Sequence, residues 1–165
     1  MNLANIITIS RIALIPPLLL LLFLEQRYAT LGVFLVILAG DLIDGAVARW
    51  QRGVTKLGKV LDPVADKLLF ASLMISLAFM GKINWLAPGL LAIQQIGLLT
   101  GAVYIYTKGK VLGARPLGKA SAAIISLGLA LALVDWKFHQ EMIYLGIALS
   151  YIAGIDYLIV AMKFD

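Results

Sequence analysis

Six apolar runs, each about as long as a bilayer is thick, divide this chain and leave it few ways to fold. They fall near residues 5–24, 29–48, 63–81, 84–106, 118–135 and 141–161. A spanning helix needs about 20 consecutive apolar residues. In hydrocarbon the backbone must satisfy its own hydrogen bonds, which a helix does within one segment. Of the 165 residues, 62% are hydrophobic and 14% charged, against about 45–50% and about 25% in soluble domains. The expected fold is therefore all-α: a polytopic membrane protein with six transmembrane helices in one bundle, forming a single domain over residues 1–165 with no room for a soluble appendage.

The punctuation between the runs sets the orientation. Arg49, Arg52, Lys56 and Lys59 separate the second run from the third, and Lys108, Lys110, Arg115 and Lys119 separate the fourth from the fifth. The opposite side offers only Arg27, Lys82 and Lys137. Basic loops stay in the cytoplasm, so both of these, and both termini, are expected there, in the cytoplasmic (inner) membrane. The net charge of +5 reads first as this topology signal, and nothing points to nucleic acid. The first run has no small-residue cleavage site after it, only Glu25-Gln26-Arg27-Tyr28, and is expected to be retained as a span. Pro16-Pro17 is expected to kink it. Gly97, Gly101, Gly128, Gly146 and Gly154 are expected to allow close helix packing. Trp85, Trp136 and Tyr28 sit at run ends, as interfacial anchors do. With no cysteine in the chain, disulfides, thiolate zinc sites and cysteine nucleophiles are excluded.

Against this apolar background stand Asp41, Asp44, Asp62 and Asp66, at the facing ends of the second and third runs. Spacings of three and four put each pair on one face of its own helix. An acidic side chain costs roughly 2.5–3.5 kcal/mol near the centre of a membrane helix on insertion scales, so four of one sign need a counter-charge. Pairing with Arg49, Arg52, Lys56, Lys59 or Lys67 can account for any one of them. It does not account for four acids and the small residues Gly45, Ala48 and Gly58 falling together on two helix periods. Oxygen-only ligands with no histidine nearby suit a hard ion, Mg²⁺ or Mn²⁺, and two such ions are a common clamp for phosphoryl displacement. Asp62-Pro63 reads either as an N-cap followed by a first-turn proline, or as a bend in a helix begun near Gly58.

Asp41, Asp44, Gly45, Ala48, Arg49, Gly58, Asp62 and Asp66 occupy every fixed position of a motif, and on them the chain resembles the CDP-alcohol phosphotransferase family. The match covers eight positions within the 26 residues from Asp41 to Asp66. The resemblance implies displacement of CMP from a CDP-linked lipid or alcohol by attack of a hydroxyl on the β-phosphate. It implies that Asp41, Asp44 and Asp62 hold two divalent cations, that Asp66 touches one of them, and that Asp66 is the general base. It also implies that Asp41, Asp44, Gly45, Ala48, Arg49 and Gly58 receive the cytidine diphosphate, and that the protein is a homodimer.

The acceptor is less directly written. Asn2 to Arg11, Leu61 to Leu69 and Ser150 to Lys163 are similar to the phosphatidylglycerophosphate synthase branch, which joins CDP-diacylglycerol to glycerol 3-phosphate, although Ala4 stands where that branch has proline. Arg115, Lys119, Lys108 and Lys110 are the candidates for binding an acceptor phosphate. Gly118-Lys119 is followed by Ala120-Ser121-Ala122, without the second lysine common in that branch. Other acceptors remain open with the same chemistry: phosphatidylglycerol, inositol phosphate, serine or an archaeal-type lipid. A divalent-cation transporter and a non-catalytic lipid-binding subunit are the rivals of other classes. Asp156 reads as a residue facing the acceptor or as an ion-pair partner. Asn5, Thr8 and Arg11 form a polar stripe that lines the site or packs helices, and His139 receives no role.

Overall fold

The computed structural model describes the backbone of residues 3–50, 58–107 and 116–162, and within them the side chains other than 3–5, 42, 44–50, 58–63, 102–107 and 157–162. Among the described residues all regular structure is helical: α1 (Leu3–Phe23), α2 (Arg27–Trp50), α3 (Gly58–Phe79), α4 (Leu86–Thr107), α5 (Pro116–Leu133) and α6 (His139–Met162). Each expected run lies on one helix, with ends shifted by a few residues. α3 starts at Gly58, upstream of Pro63, so Asp62 is inside the helix and is not its N-cap. α1 remains helical through Pro16 and Pro17, whose side chains lie on its exposed face.

Among the described residues, two helices are long and apolar enough to cross a membrane by length and composition. Their windows are Ile6–Phe23 and Pro116–Leu133, with mean hydropathies of 2.3 and 1.6. Only 28% and 33% of those windows are buried inside the protein. The core helix of a soluble protein would hide most of such a surface, whereas lipid accepts it. Leu86–Gly101 in α4 is a shorter apolar stretch.

The chain forms two compact units, Met1–Ser76 and Leu77–Asp165. In the first, α1 packs against α2. The buried positions of α1 are Thr8, Arg11, Ile15, Leu18 and Leu22, a three-four alternation that keeps one narrow face toward a neighbour. On α2 the buried Thr30, Phe34 and Ile37 follow the same rhythm, and Asp41 is the next position along it. On α3 the buried residues of this unit are Ala65, Leu69, Leu73, Met74 and Ser76.

In the second unit α6 packs closely on α5 and also contacts α4. A Cβ added at Gly128 would come within 2.8 Å of the Ile143 backbone nitrogen, and one at Gly146 within 2.9 Å of that of Ile125. Each helix thus offers a glycine to the other's backbone, the small-residue packing that membrane helices favour. The remaining glycines of the expected set separate from these two. Gly154 makes ordinary contact with Leu98, Gly97 faces open space, and the side-chain surroundings of Gly101 lie at the edge of the described residues. Tyr151 Oη donates to the Leu90 carbonyl at 2.8 Å, and Gln94 Nε2 to that of Ser150 at 3.2 Å, fastening α4 to α6.

The reversals after α1, α3 and α5 share one backbone device. Gln26 N–H reaches back to the Leu21 carbonyl and Glu25 N–H to Leu22; Lys82 and Gly81 pair likewise with Leu77 and Ala78, and Trp136 and Asp135 with Leu131 and Ala132. These are Schellman caps, which place one residue in the left-handed region. Gly81 takes it at φ 69°, but Glu25 and Asp135 take it at φ 54°, a strained choice for a residue with a Cβ. Exposed Glu25 is therefore a site of gain: Glu25→Gly should stabilise the protein by about 0.5–1 kcal/mol, the left-handed penalty less the added chain entropy of glycine. A thermal melt in detergent reads this as a higher midpoint, and a lower one would show that the Glu25 side chain makes a compensating interaction.

His139, given no role from sequence, joins two reversals of the second unit. Its Nε2 lies 2.8 Å from the Lys82 carbonyl oxygen and its Nδ1 2.6 Å from that of Trp136. Both are acceptors, so a neutral ring donates to one and a protonated ring to both. Beside it Lys82 Nζ pairs with Asp135 Oδ1 at 2.8 Å.

Candidate active site: two carboxylates on a buried arginine

Arg11 is the only charged residue among the buried side chains described. Its position follows from the α1 seam, since it stands three residues after Thr8 and four before Ile15 on the face turned inward. The stem needs space against α2, and Gly40 supplies it. A Cβ there would sit 3.2 Å from Arg11 Cγ and 3.3 Å from Cδ, tighter than ordinary van der Waals contact. The guanidinium passes this gap and forks. Nη1 lies 2.9 Å from Asp41 Oδ1, and Nη2 lies 2.5 Å from Asp66 Oδ1. Arginine is suited to this task because its planar head carries parallel donors at fixed separation.

Two of the four aspartates singled out from sequence are thus brought to one point from separate helices. The third and fourth, Asp44 and Asp62, belong to the same helices, one turn away from Asp41 and Asp66 respectively; their side chains lie outside those described. So do the side chains of Gly45, Ala48, Arg49 and Gly58. Among the described residues there is no group of three acids, histidines or cysteines able to hold an ion. The two carboxylates that are seen fit a hard cation by their chemistry: both are oxygen donors, both already face a positive charge, and both remain about two-fifths exposed while the arginine is 3% exposed. An ion arriving from water can reach the acids more readily than the guanidinium.

Of the acceptor candidates, Lys108, Lys110 and Arg115 lie outside the described residues. Lys119 is in the first turns of α5, exposed, in the second unit. Asp156 is half-buried on α6. The polar stripe of α1 is resolved in part: Thr8 and Arg11 are both buried, and Arg11 packs against α2 as well as meeting the site's acids. For Arg11 the two expected roles coincide, since its stem lies against Gly40 and its guanidinium meets Asp41 and Asp66; the side chain of Asn5 lies outside those described. The signal was a lone arginine on the buried three-four line of an otherwise apolar helix. Gly40 carried no signal of its own.

Helices apolar enough to cross a membrane, with acids from α2 and α3 meeting on one buried arginine, fit a membrane protein that carries a polar site. Residues 1–152 match the model of the CDP-alcohol phosphatidyltransferase family, and the chain belongs to that family. It is 28% identical over 173 aligned positions to a Mycobacterium tuberculosis protein named "Probable phosphatidylglycerophosphate synthase", covering 98% of this chain and 82% of that one. It is 33% identical to the CDP-diacylglycerol–glycerol-3-phosphate 3-phosphatidyltransferase of Aquifex aeolicus, over 78% of this chain and 74% of that one. A Drosophila melanogaster protein named "Probable cardiolipin synthase (CMP-forming)" is 39% identical over 64% of this chain and 33% of its own length.

Proposed function

We propose that the protein is an integral membrane phosphatidyltransferase of phospholipid biosynthesis, passing the phosphatidyl group of CDP-diacylglycerol to a hydroxyl of glycerol 3-phosphate and releasing CMP. The observation that carries this reading is the meeting of Asp41 and Asp66, two positions of the family motif, on one buried cationic group. The names of the Mycobacterium and Aquifex relatives support the acceptor. In this reading all six helices span the inner membrane as a single domain, with both termini and the acids on the cytoplasmic side, and the working form is a homodimer.

Asp41, Asp44, Asp62 and Asp66 would hold two divalent cations, Mg²⁺ or Mn²⁺. When bound, these supply charge neutralisation at the diphosphate as CMP leaves. The chain's own residues do the rest. Gly45, Ala48 and Gly58 leave the motif's helix faces without bulky side chains, so that the cytidine diphosphate approaches the backbone, and Arg49 fixes it there. Lys119, with Arg115, Lys108 and Lys110, receives the acceptor's phosphate. Asp66 takes the proton from the acceptor hydroxyl as the new bond to the β-phosphorus forms and the bond to the CMP oxygen breaks. A carboxylate is a modest base, and it suffices when the hydroxyl is held against it.

Purified protein supplied with CDP-diacylglycerol and Mg²⁺ or Mn²⁺ should release CMP with glycerol 3-phosphate and lose that activity in EDTA. The same assay with phosphatidylglycerol, inositol phosphate or serine tests the other acceptors. Silence with glycerol 3-phosphate alongside turnover with another acceptor would end the first assignment and leave the chemistry standing.

A further inference from the structure

We propose that Arg11 is the resident counter-ion of the metal site: a positioning residue that holds Asp41 and Asp66 in place when no divalent cation is bound. The inference rests on the reading of the aspartates as cation ligands. Four carboxylates carried on two helices that meet at one arginine repel one another, and at the edge of a protein that repulsion is screened less than in bulk water. A protein that waits for metal in this state must hold the helices together against it. The Arg11 guanidinium bridges one acid from α2 and one from α3, and so turns a repulsion between helices into an attraction through a third.

Three features mark this as a built arrangement. Arg11 is 3% exposed, which is costly for a charge unless it is paired. Its stem lies against Gly40, where a Cβ would come within 3.2–3.3 Å of it. Its two terminal nitrogens each reach a different helix, so neither acid can turn away without breaking a charge-assisted hydrogen bond. With Arg11 in place the four acids carry three formal negative charges more than their counter-ion; without it they carry four. Divalent cations and Arg11 therefore do overlapping work, and the stability contributed by Arg11 should be greatest when the cations are absent.

The test is thermal unfolding of the full chain in detergent for wild type, Arg11→Met and Arg11→Gln, each in EDTA and in saturating Mn²⁺. Arg11→Gln keeps a hydrogen-bond donor without the charge and is the gentler change should the methionine variant fail to fold. In EDTA both variants should melt on the order of 5–10 °C below wild type, and saturating Mn²⁺ should recover at least half of that gap. The Mn²⁺-induced rise in midpoint is then larger in the variants than in wild type. A gap of equal size in EDTA and in Mn²⁺ would make Arg11 a packing residue and overturn the inference while leaving the cation reading intact. If Mn²⁺ shifts neither wild type nor variants, the cation reading fails and the inference falls with it. A methionine variant recoverable only in Mn²⁺ supports the proposal. One recoverable in neither condition passes the decision to Arg11→Gln.

Discussion

Asp66→Asn should abolish measurable CMP release, a fall of roughly 10²–10⁴-fold expected for loss of a positioned general base, while binding of the CDP-lipid stays near the wild-type level. Asparagine keeps the shape of the side chain and an oxygen that can still accept from Arg11 Nη2, which sits 2.5 Å from Asp66 Oδ1. The link from α1 to α3 therefore survives in geometry and loses its charge. What goes is the capacity to take a proton from the acceptor hydroxyl. In the proposed mechanism Asp41, Asp44 and Asp62 would still hold cations and diphosphate, so the defect should appear in turnover more than in lipid affinity. Labelled CDP-diacylglycerol binding and CMP release, measured on the same preparation, separate the two. Undiminished turnover in the variant would remove Asp66 from the base role.

The largest expected loss of stability lies elsewhere, at Gly128→Val. The first carbon added there arrives 2.8 Å from the Ile143 backbone nitrogen and 2.7 Å from its Cγ1. A side chain could turn away; a helix backbone cannot. α5 and α6 must separate, and Ile125, Leu129, Ile143 and Ile147, all at most 4% exposed, lose contact together. Overpacking of this kind costs about 3 kcal/mol, a large fraction of the stability of a marginally stable fold. Gly97→Ala is the matched control. Nothing lies within 4 Å of that position, and alanine is the better helix former by about 1 kcal/mol in water, so the variant should melt no lower than wild type. Midpoints that move together for the two substitutions would refute the close approach of α5 and α6.

That contrast shows where sequence reading stops. Helix number and approximate ends are plain from the apolar runs, because a bilayer-length stretch constrains the chain locally. The closeness of an α5 glycine to an α6 backbone is a property of a pair, and Gly97 and Gly128 look alike in a sequence. The start of α3 at Gly58 is one of two readings, since Pro63 fits the first turn of a helix capped by Asp62 and also the sixth position of one begun at Gly58. The aspartates stood out by type, spacing and apolar surroundings, and Asp41 and Asp66 do converge. Their common partner was harder to assign. Arg11 lies 30 residues from Asp41 and 55 from Asp66 in the chain, and no local pattern states which helix it will face. Lys82, Asp135 and His139 are joined by the same kind of distant pairing, which charge counting treats only as loop composition.

The tight turn between α1 and α2 has a consequence for how such a chain enters its membrane. Only Leu24, Glu25 and Gln26 separate the two helices, and the salt bridge from Arg11 to Asp41 closes within that hairpin. In the six-span reading, the first two segments reach the membrane before the segment that carries Asp66. Partitioned singly, each would carry an ion into oil at the full transfer penalty. Zipped together, Arg11 and Asp41 form a neutral pair, and the proposed site begins as a self-shielded couple awaiting its third helix.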